Sequence, residues 1–298
     1  MPRLLRAGAL LLLALLAGCG STAGRPAASP TVPPANIQAI VAASTLVAGS
    51  NRLPIGIVVD GTPINDPQAK VHLRFYYLDD PAQSQNIAGE TDAIYFGDKL
   101  PFGVYVAYPE IPKAGAWRVE VQMLVPNKPA AVSNLRLDVL ATDPTPPLGS
   151  QAIAVDSPTG ATPEELKKIT SAPDPDPALY KLSVADALAQ RKPLAILFGT
   201  PGFCKTATCG PSIAVMSQLQ RAYGDRMNFI HVESYAYPFG ESAQASPPKL
   251  SAGMEEWGLF SEPWVYLIDG SGVVRAKYEG GITLDELTPV IENLLKTP

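Results

Sequence analysis

Histidine is nearly missing from this chain: His72 and His231 are the only two in 298 residues, and cysteine occurs three times. So thin a supply argues against a structural zinc site, which takes four nitrogen or sulfur ligands. Charge is scarce as well, with 17% Asp, Glu, Lys and Arg, a net charge of -5 and no basic run. Without a positive stripe the chain lacks the electrostatic footprint of a nucleic-acid binder. The apolar stretch at the start, Ala7 to Ala17, falls short of the roughly 20 residues a membrane-spanning helix needs. Gly199-Thr200-Pro201-Gly202 lacks the Gly-Lys-Ser/Thr ending of a phosphate loop, and no serine sits in a nucleophile-elbow pattern. No other cofactor motif appears. What is abundant is proline, 31 residues of it, and 46% of the chain is hydrophobic. The first marks connectors where it clusters, and the second supplies cores for two ordinary domains.

Arg3 and Arg6 precede the apolar stretch and small residues follow it, the layout of a secretory signal over 1–18. The stretch closes Leu16-Ala17-Gly18-Cys19, which resembles the lipobox of bacterial lipoproteins. That resemblance implies lipidation of Cys19 and a cell-membrane location on the extracytoplasmic face. Residues 19–36, rich in Ser, Thr, Ala, Gly and Pro, then read as a flexible tether. Export places Cys204 and Cys209 where disulfides form and persist, with no competing partner.

Residues 37–141 read as β-structure. Val71, Leu73, Phe75 and Tyr77 alternate with His72, Arg74 and Tyr76, and Trp117, Val119, Val121 and Met123 alternate with Arg118, Glu120 and Gln122. Period-two alternation gives each strand one buried and one wet face. Further short runs over 54–60, 93–96, 104–108 and 135–140, punctuated by Gly, Pro, Asn and Asp, predict an antiparallel sandwich. The stretch from Tyr105 to Val119 resembles the late strands of immunoglobulin-like domains of exported bacterial proteins.

Prolines crowd residues 142–178, which read as a stiff connector interrupted by a helix at 163–170 capped by Thr162 with Glu165. From 179 to 298 helices and strands alternate. Strands are expected at 193–199, 227–233, 264–269 and 273–278, and helices at 184–191, 211–223, 250–257 and 283–295. This order implies a mixed sheet covered by helices on both faces.

Three features of 179–298 resemble the thioredoxin fold: strand Leu194–Phe198 leading to Cys204, Ser261-Glu262-Pro263-Trp264 before a strand, and Gly280-Gly281 before the final helix. The resemblance implies a cis-proline, Pro263, facing the cysteines, with Pro263 and Trp264 against the substrate. The family spaces its cysteines by two residues, whereas Cys204-Lys205-Thr206-Ala207-Thr208-Cys209 has four between them. Two positions five apart on a regular helix cannot meet the Cα separation of about 4.4–6.8 Å that a disulfide requires. If the pair bonds, Cys204 must sit on the loop and Cys209 near the helix start. A helix N-terminus stabilises a thiolate, and Lys205 adds charge, so either sulfur can attack. The resemblance implies that Cys204 attacks and Cys209 resolves. Aligning Cys209-Gly210-Pro211-Ser212 with the family's Cys-Gly-Pro-Cys exchanges those roles. An acidic residue that many thioredoxins carry on the strand before the cysteines is absent, with Leu197 near its place.

The expected function is a membrane-anchored thiol–disulfide oxidoreductase or electron-transfer protein, using Cys204 and Cys209 on protein thiols or disulfides outside the cytoplasm. One alternative resembles copper-binding or copper-delivery proteins of the same fold, since soft thiolates suit Cu(I). That family's distant histidine has no counterpart after His231, which lies in a predicted strand. The other is a non-enzymatic binding module with a permanent disulfide, whose short ring gives little entropic stabilisation.

Overall fold

The computed structural model describes residues 36–97, 100, 102–204 and 208–296. The expected signal segment, Cys19 and nearly all of the tether lie outside the described residues, as does Lys205. Among the described residues no helix is long and apolar enough to cross a membrane.

The first half carries β1 (Ile37–Val41), β2 (Gly49–Ser50), β3 (Leu53–Val59), β4 (Thr62–Pro63), β5 (Lys70–Tyr77), β6 (Gly89–Asp92), β7 (Ile94–Tyr95), β8 (Tyr105–Ala107), β9 (Glu110–Ile111), β10 (Gly115–Leu124) and β11 (Ala131–Val139). Two antiparallel sheets form, ordered β1-β3-β8-β7 and β11-β10-β5-β6. The alternation read in β5 and β10 decides their register. Leu73 pairs with Val121 and Phe75 with Val119, so the inward residues share one face. That face packs with Leu53, Ile55 and Ile57 of the other sheet into a common core. Each such buried aliphatic side chain contributes about 1.5–3 kcal/mol, which offsets the entropy of ordering two sheets.

The second half carries α1 (Pro163–Leu166), a 3-10 turn (Pro177–Tyr180), α2 (Val184–Ala189), β12 (Leu194–Gly199), α3 (Cys209–Tyr223), β13 (Asn228–Glu233), α4 (Phe239–Gln244), α5 (Ala252–Glu256), β14 (Trp264–Ile268), β15 (Val274–Glu279) and α6 (Leu284–Leu294). The sheet runs β13-β12-β14-β15. β12 lies parallel to β13 and antiparallel to β14, and β14 antiparallel to β15. All six residues of β12 are buried, because both faces of the sheet are covered. Ala195 and Leu197 face the cluster containing Met216 and Leu287 of α3 and α6. Leu194, Ile196 and Phe198 face the cluster containing Val184 and Met254 of α2 and α5. Sequence periodicity places these helices, although α3 begins at Cys209, two residues earlier than expected, and α4 was not foreseen.

The proline-rich stretch contributes to the same cores. Val155, Leu166 and Ile169 are buried in them. Its short helix carries the expected capping box, with Glu165 N–H donating to Thr162 Oγ1 at 3.3 Å and Thr162 N–H to the Glu165 carboxylate at 3.0 Å.

Candidate active site

β12 hands the chain to a loop that begins at Thr200, and α3 opens at Cys209. The loop carries Cys204, which is partly exposed, and the first residue of α3 is Cys209, which is buried. No disulfide joins the two sulfurs, and the placement is the one that disulfide geometry demands for a four-residue spacing. The backbone N–H of Cys209 donates to Cys204 Sγ at 3.3 Å. This N–H belongs to the first turn of α3, where no helical carbonyl is available to accept it. Cys204 therefore receives both a hydrogen bond and the positive end of the helix dipole, which favour a thiolate. Cys209 is in the opposite state. Its hydrogen bond with the Cys204 side chain and its burial push its thiol well above the ordinary cysteine range, so it holds its proton.

Pro263 and Cys209 both approach Gly199. The Glu262–Pro263 bond is cis, and a Cβ placed on Gly199 would stand 3.7 Å from both Pro263 Cβ and Cys209 Cβ. The next residue does not join it. Successive strand residues point to opposite faces, so Trp264 enters the other layer. It is 3% exposed, its indole N–H donates to Ser261 Oγ at 2.9 Å, and its ring stacks on Tyr266 with centroids 5.9 Å apart. Beside the loop, Gly202 and Phe203 open a cleft of about 540 Å³ whose other walls include Pro173, Pro175, Pro177 and Phe239.

The polar support missing from β12 stands on its neighbour. Glu233, opposite Gly199 in the parallel register, is 5% exposed. Its Oε2 accepts from the backbone N–H of Ser171 at 2.7 Å and from Ser171 Oγ at 2.8 Å. Ser171 Oγ in turn accepts from Gly202 N–H at 2.9 Å. A buried carboxyl and a connector serine thus fix the loop that carries Cys204. Sequence reading missed both. The available signal was an ionisable residue closing the buried strand Asn228–Glu233, but its partner is 62 positions away.

Burial raises the Glu233 carboxyl above its usual range. A raised folded-state pKa means that the group's contribution to stability is present below the unfolded value and is lost as pH rises through the folded one. Glu233→Gln, which keeps an acceptor for Ser171 and cannot ionise, is expected to gain stability on the wild type progressively as pH rises above the ordinary carboxylate range. Urea unfolding at a series of pH values checks this, and a constant difference between the two proteins contradicts it.

His231 is fully engaged. Its Nδ1 lies 2.9 Å from the Tyr180 hydroxyl and its Nε2 lies 3.1 Å from the Gly199 carbonyl oxygen. Burial lowers its pKa to about 4, so the ring is neutral, donating through Nε2 to the carbonyl and accepting at Nδ1. A copper ligand needs a free nitrogen lone pair, and His231 has none to give. His72 sits on the sandwich sheet between Asp92 and Glu90. Among the described residues no group of three or more His, Cys, Asp or Glu is placed to hold a metal ion.

No family model matches the chain, and no curated protein matches it. Among solved structures, a thiol:disulfide interchange protein of the thioredoxin family from Chlorobium tepidum TLS is 18% identical, covering 49% of this chain and 99% of its own, with a TM-score of 0.30. A DUF4426 family protein from Pseudomonas aeruginosa PAO1 is 9% identical over 38% of this chain and 96% of its own, with a TM-score of 0.27. A family 76 glycoside hydrolase from a bovine Bacteroides thetaiotaomicron strain is 11% identical over 37% of this chain and 21% of its own, with a TM-score of 0.24. What the chain does therefore has to follow from its own two sulfurs and their surroundings rather than from kinship.

Proposed function

We propose that this chain exchanges thiols and disulfides with proteins outside the cytoplasm, held at the membrane through a lipid on Cys19. In this reading the C-terminal domain is of thioredoxin type and the sandwich is of immunoglobulin type. One observation carries the proposal: the pair is unequal. Cys204 is accessible and accepts the first N–H of α3, whereas Cys209 stands behind it, buried and protonated.

The chemistry divides accordingly. The Cys204 thiolate attacks one sulfur of a partner disulfide, a bond forms between the two proteins, and the partner's other sulfur leaves as a thiolate. Cys209 then gives up its proton to solvent or to that departing thiolate. Its sulfur attacks Cys204 Sγ, the inter-protein bond breaks, and the partner's second thiolate is released. The partner gains two electrons and the Cys204–Cys209 pair loses them. The reverse sequence oxidises a partner dithiol. In this reading cis-Pro263, which approaches Gly199 together with Cys209, borders the path of the substrate segment.

Incubating the reduced protein with a peptide containing one disulfide tests the proposal. Two peptide thiols should appear for every two protein thiols lost. A rate no greater than that of free cysteine at equal concentration would contradict it.

A further inference from the structure

The β-sandwich grips the turn Glu279–Gly281. Arg52, just before β3, is buried against α6. Its Nε donates to Glu286 Oε1 at 2.6 Å and its Nη2 to Glu286 Oε2 at 2.8 Å, with side chains only 7% and 3% exposed. The rest of the guanidinium grips backbone: Nη1 donates to the Glu279 carbonyl and Nη2 to the Gly281 carbonyl at 2.8 Å. Tyr108 of the sandwich adds a hydrogen bond to Glu286 at 2.7 Å. Sandwich backbone meets the same turn, as Ser44 and Thr45 N–H groups each donate to the Glu279 carboxylate at 2.9 Å. A Cβ on Gly280, whose φ is +83°, would stand 2.5 Å from the Ala42 carbonyl oxygen, so the turn is fitted to the sandwich without room for a side chain.

The other side of the same turn meets Pro263 and Thr208. Gly280 N–H donates to the Pro263 carbonyl at 2.9 Å. A Cβ on Gly281 would lie 3.3 Å from Thr208 Cγ2 and 4.0 Å from Val104 Cγ2 of the sandwich. Thr208 precedes Cys209, and Pro263 and Cys209 both approach Gly199, each 3.7 Å from where a Cβ on that glycine would stand. One arginine thus holds, from outside, the piece of backbone that touches both neighbours of the buried cysteine.

We propose that Arg52 is a positioning residue for the dithiol: by fixing the Glu279–Gly281 turn it sets Thr208 and Pro263, and through them holds Cys209 against Cys204. The inference rests on the exchange reading only for its biological meaning. Physically, a guanidinium fork bonded to a carboxylate and two carbonyls defines an orientation that a lysine cannot reproduce. A pair of thiols held in register closes its disulfide at a high effective concentration, and loosening the register lowers that concentration.

Full-length protein equilibrated with reduced and oxidised glutathione gives the constant for Cys204–Cys209 closure, in which two protein thiols become a disulfide and one glutathione disulfide becomes two thiols. Arg52→Met leaves Glu286 buried without its counter-charge. The double variant Arg52→Met/Glu286→Leu removes both charges and is the one expected to keep wild-type stability. In both, provided the circular dichroism spectrum is native, the closure constant should fall about tenfold, a shift of about 30 mV toward a more oxidising pair. Lys277→Met, which breaks an ion pair with Asp143, should change stability and leave the constant alone. A constant within twofold of wild type in the folded double variant, or an equal fall in Lys277→Met, would overturn the proposal. A wild-type pair as resistant to reduction as a structural disulfide, with the Arg52 effect intact, would overturn the exchange reading and leave the positioning role standing.

Discussion

Cys204→Ser is expected to lower disulfide exchange by at least about a thousandfold, the scale of losing a nucleophile, whereas Cys209→Ser is expected to stop the reaction halfway. The asymmetry follows from burial. Cys204 is the sulfur that a partner can approach, and it receives the N–H of Cys209 at 3.3 Å. Cys209 is 0% exposed and can attack only a sulfur already bonded to Cys204. Removing it leaves the inter-protein disulfide with nothing to break it. Cys209→Ser protein should therefore accumulate covalent adducts with partner proteins that vanish on adding dithiothreitol, and Cys204→Ser should accumulate none. Non-reducing electrophoresis and mass spectrometry of the adducts read this directly. Adducts formed through Cys209 in the Cys204→Ser protein would reverse the assigned roles, and the Cys209-Gly210-Pro211-Ser212 alignment would then be the right one.

The second large effect concerns His231. Its pKa falls from 6.5 to about 4 because the ring is buried. A depressed folded-state pKa places the sign without ambiguity. The neutral ring contributes fully above the unfolded value near 6.5, and that contribution is lost as pH falls toward 4, where the unfolded chain takes up a proton and the folded one resists it. A separation of this size corresponds to about 3 kcal/mol, a large share of the stability of most domains. The wild type should lose that amount between pH 7 and pH 4 beyond what His231→Gln loses, although the variant is weaker at pH 7 for want of the Tyr180 contact. Urea midpoints at four or five pH values in that window give the difference. Parallel pH profiles would contradict the neutral, doubly engaged ring.

How much of this was legible in the sequence differs by the range of the interaction. The sandwich strands β5 and β10 were readable because alternation is a property of neighbouring residues, and Val71, Leu73, Val119 and Val121 are buried as their spacing requires. The cysteine placement was readable because a covalent constraint on two nearby residues excludes most local geometries. The capping box of α1 was readable at a spacing of three. What escaped was long-range. Glu233 holds Ser171 through Oε2, 62 positions away, and Arg52 pairs with Glu286, 234 positions away. Neither partner carries a local mark. Trp264 was expected beside Pro263 on the substrate side. Its burial in the opposite layer follows from where the strand begins, which fixes the side that each residue faces. The prolines of 142–178 hid three apolar contributors to the cores, Val155, Leu166 and Ile169, whose side chains are all buried, because isolated apolar residues among turn formers show no period.

The reading of a working dithiol makes one quantity decisive, the reduction potential of Cys204–Cys209 in the full chain, measured against glutathione with the oxidised and reduced forms separated after alkylation. A pair built for exchange, with one sulfur stabilised as a thiolate by a helix N-terminus, should lie above about -300 mV, within the range of disulfide-exchange catalysts. A value below that limit would make the pair a staple, and two thiols that stay separately alkylatable in fully oxidised buffer would mean that the sulfurs never bond.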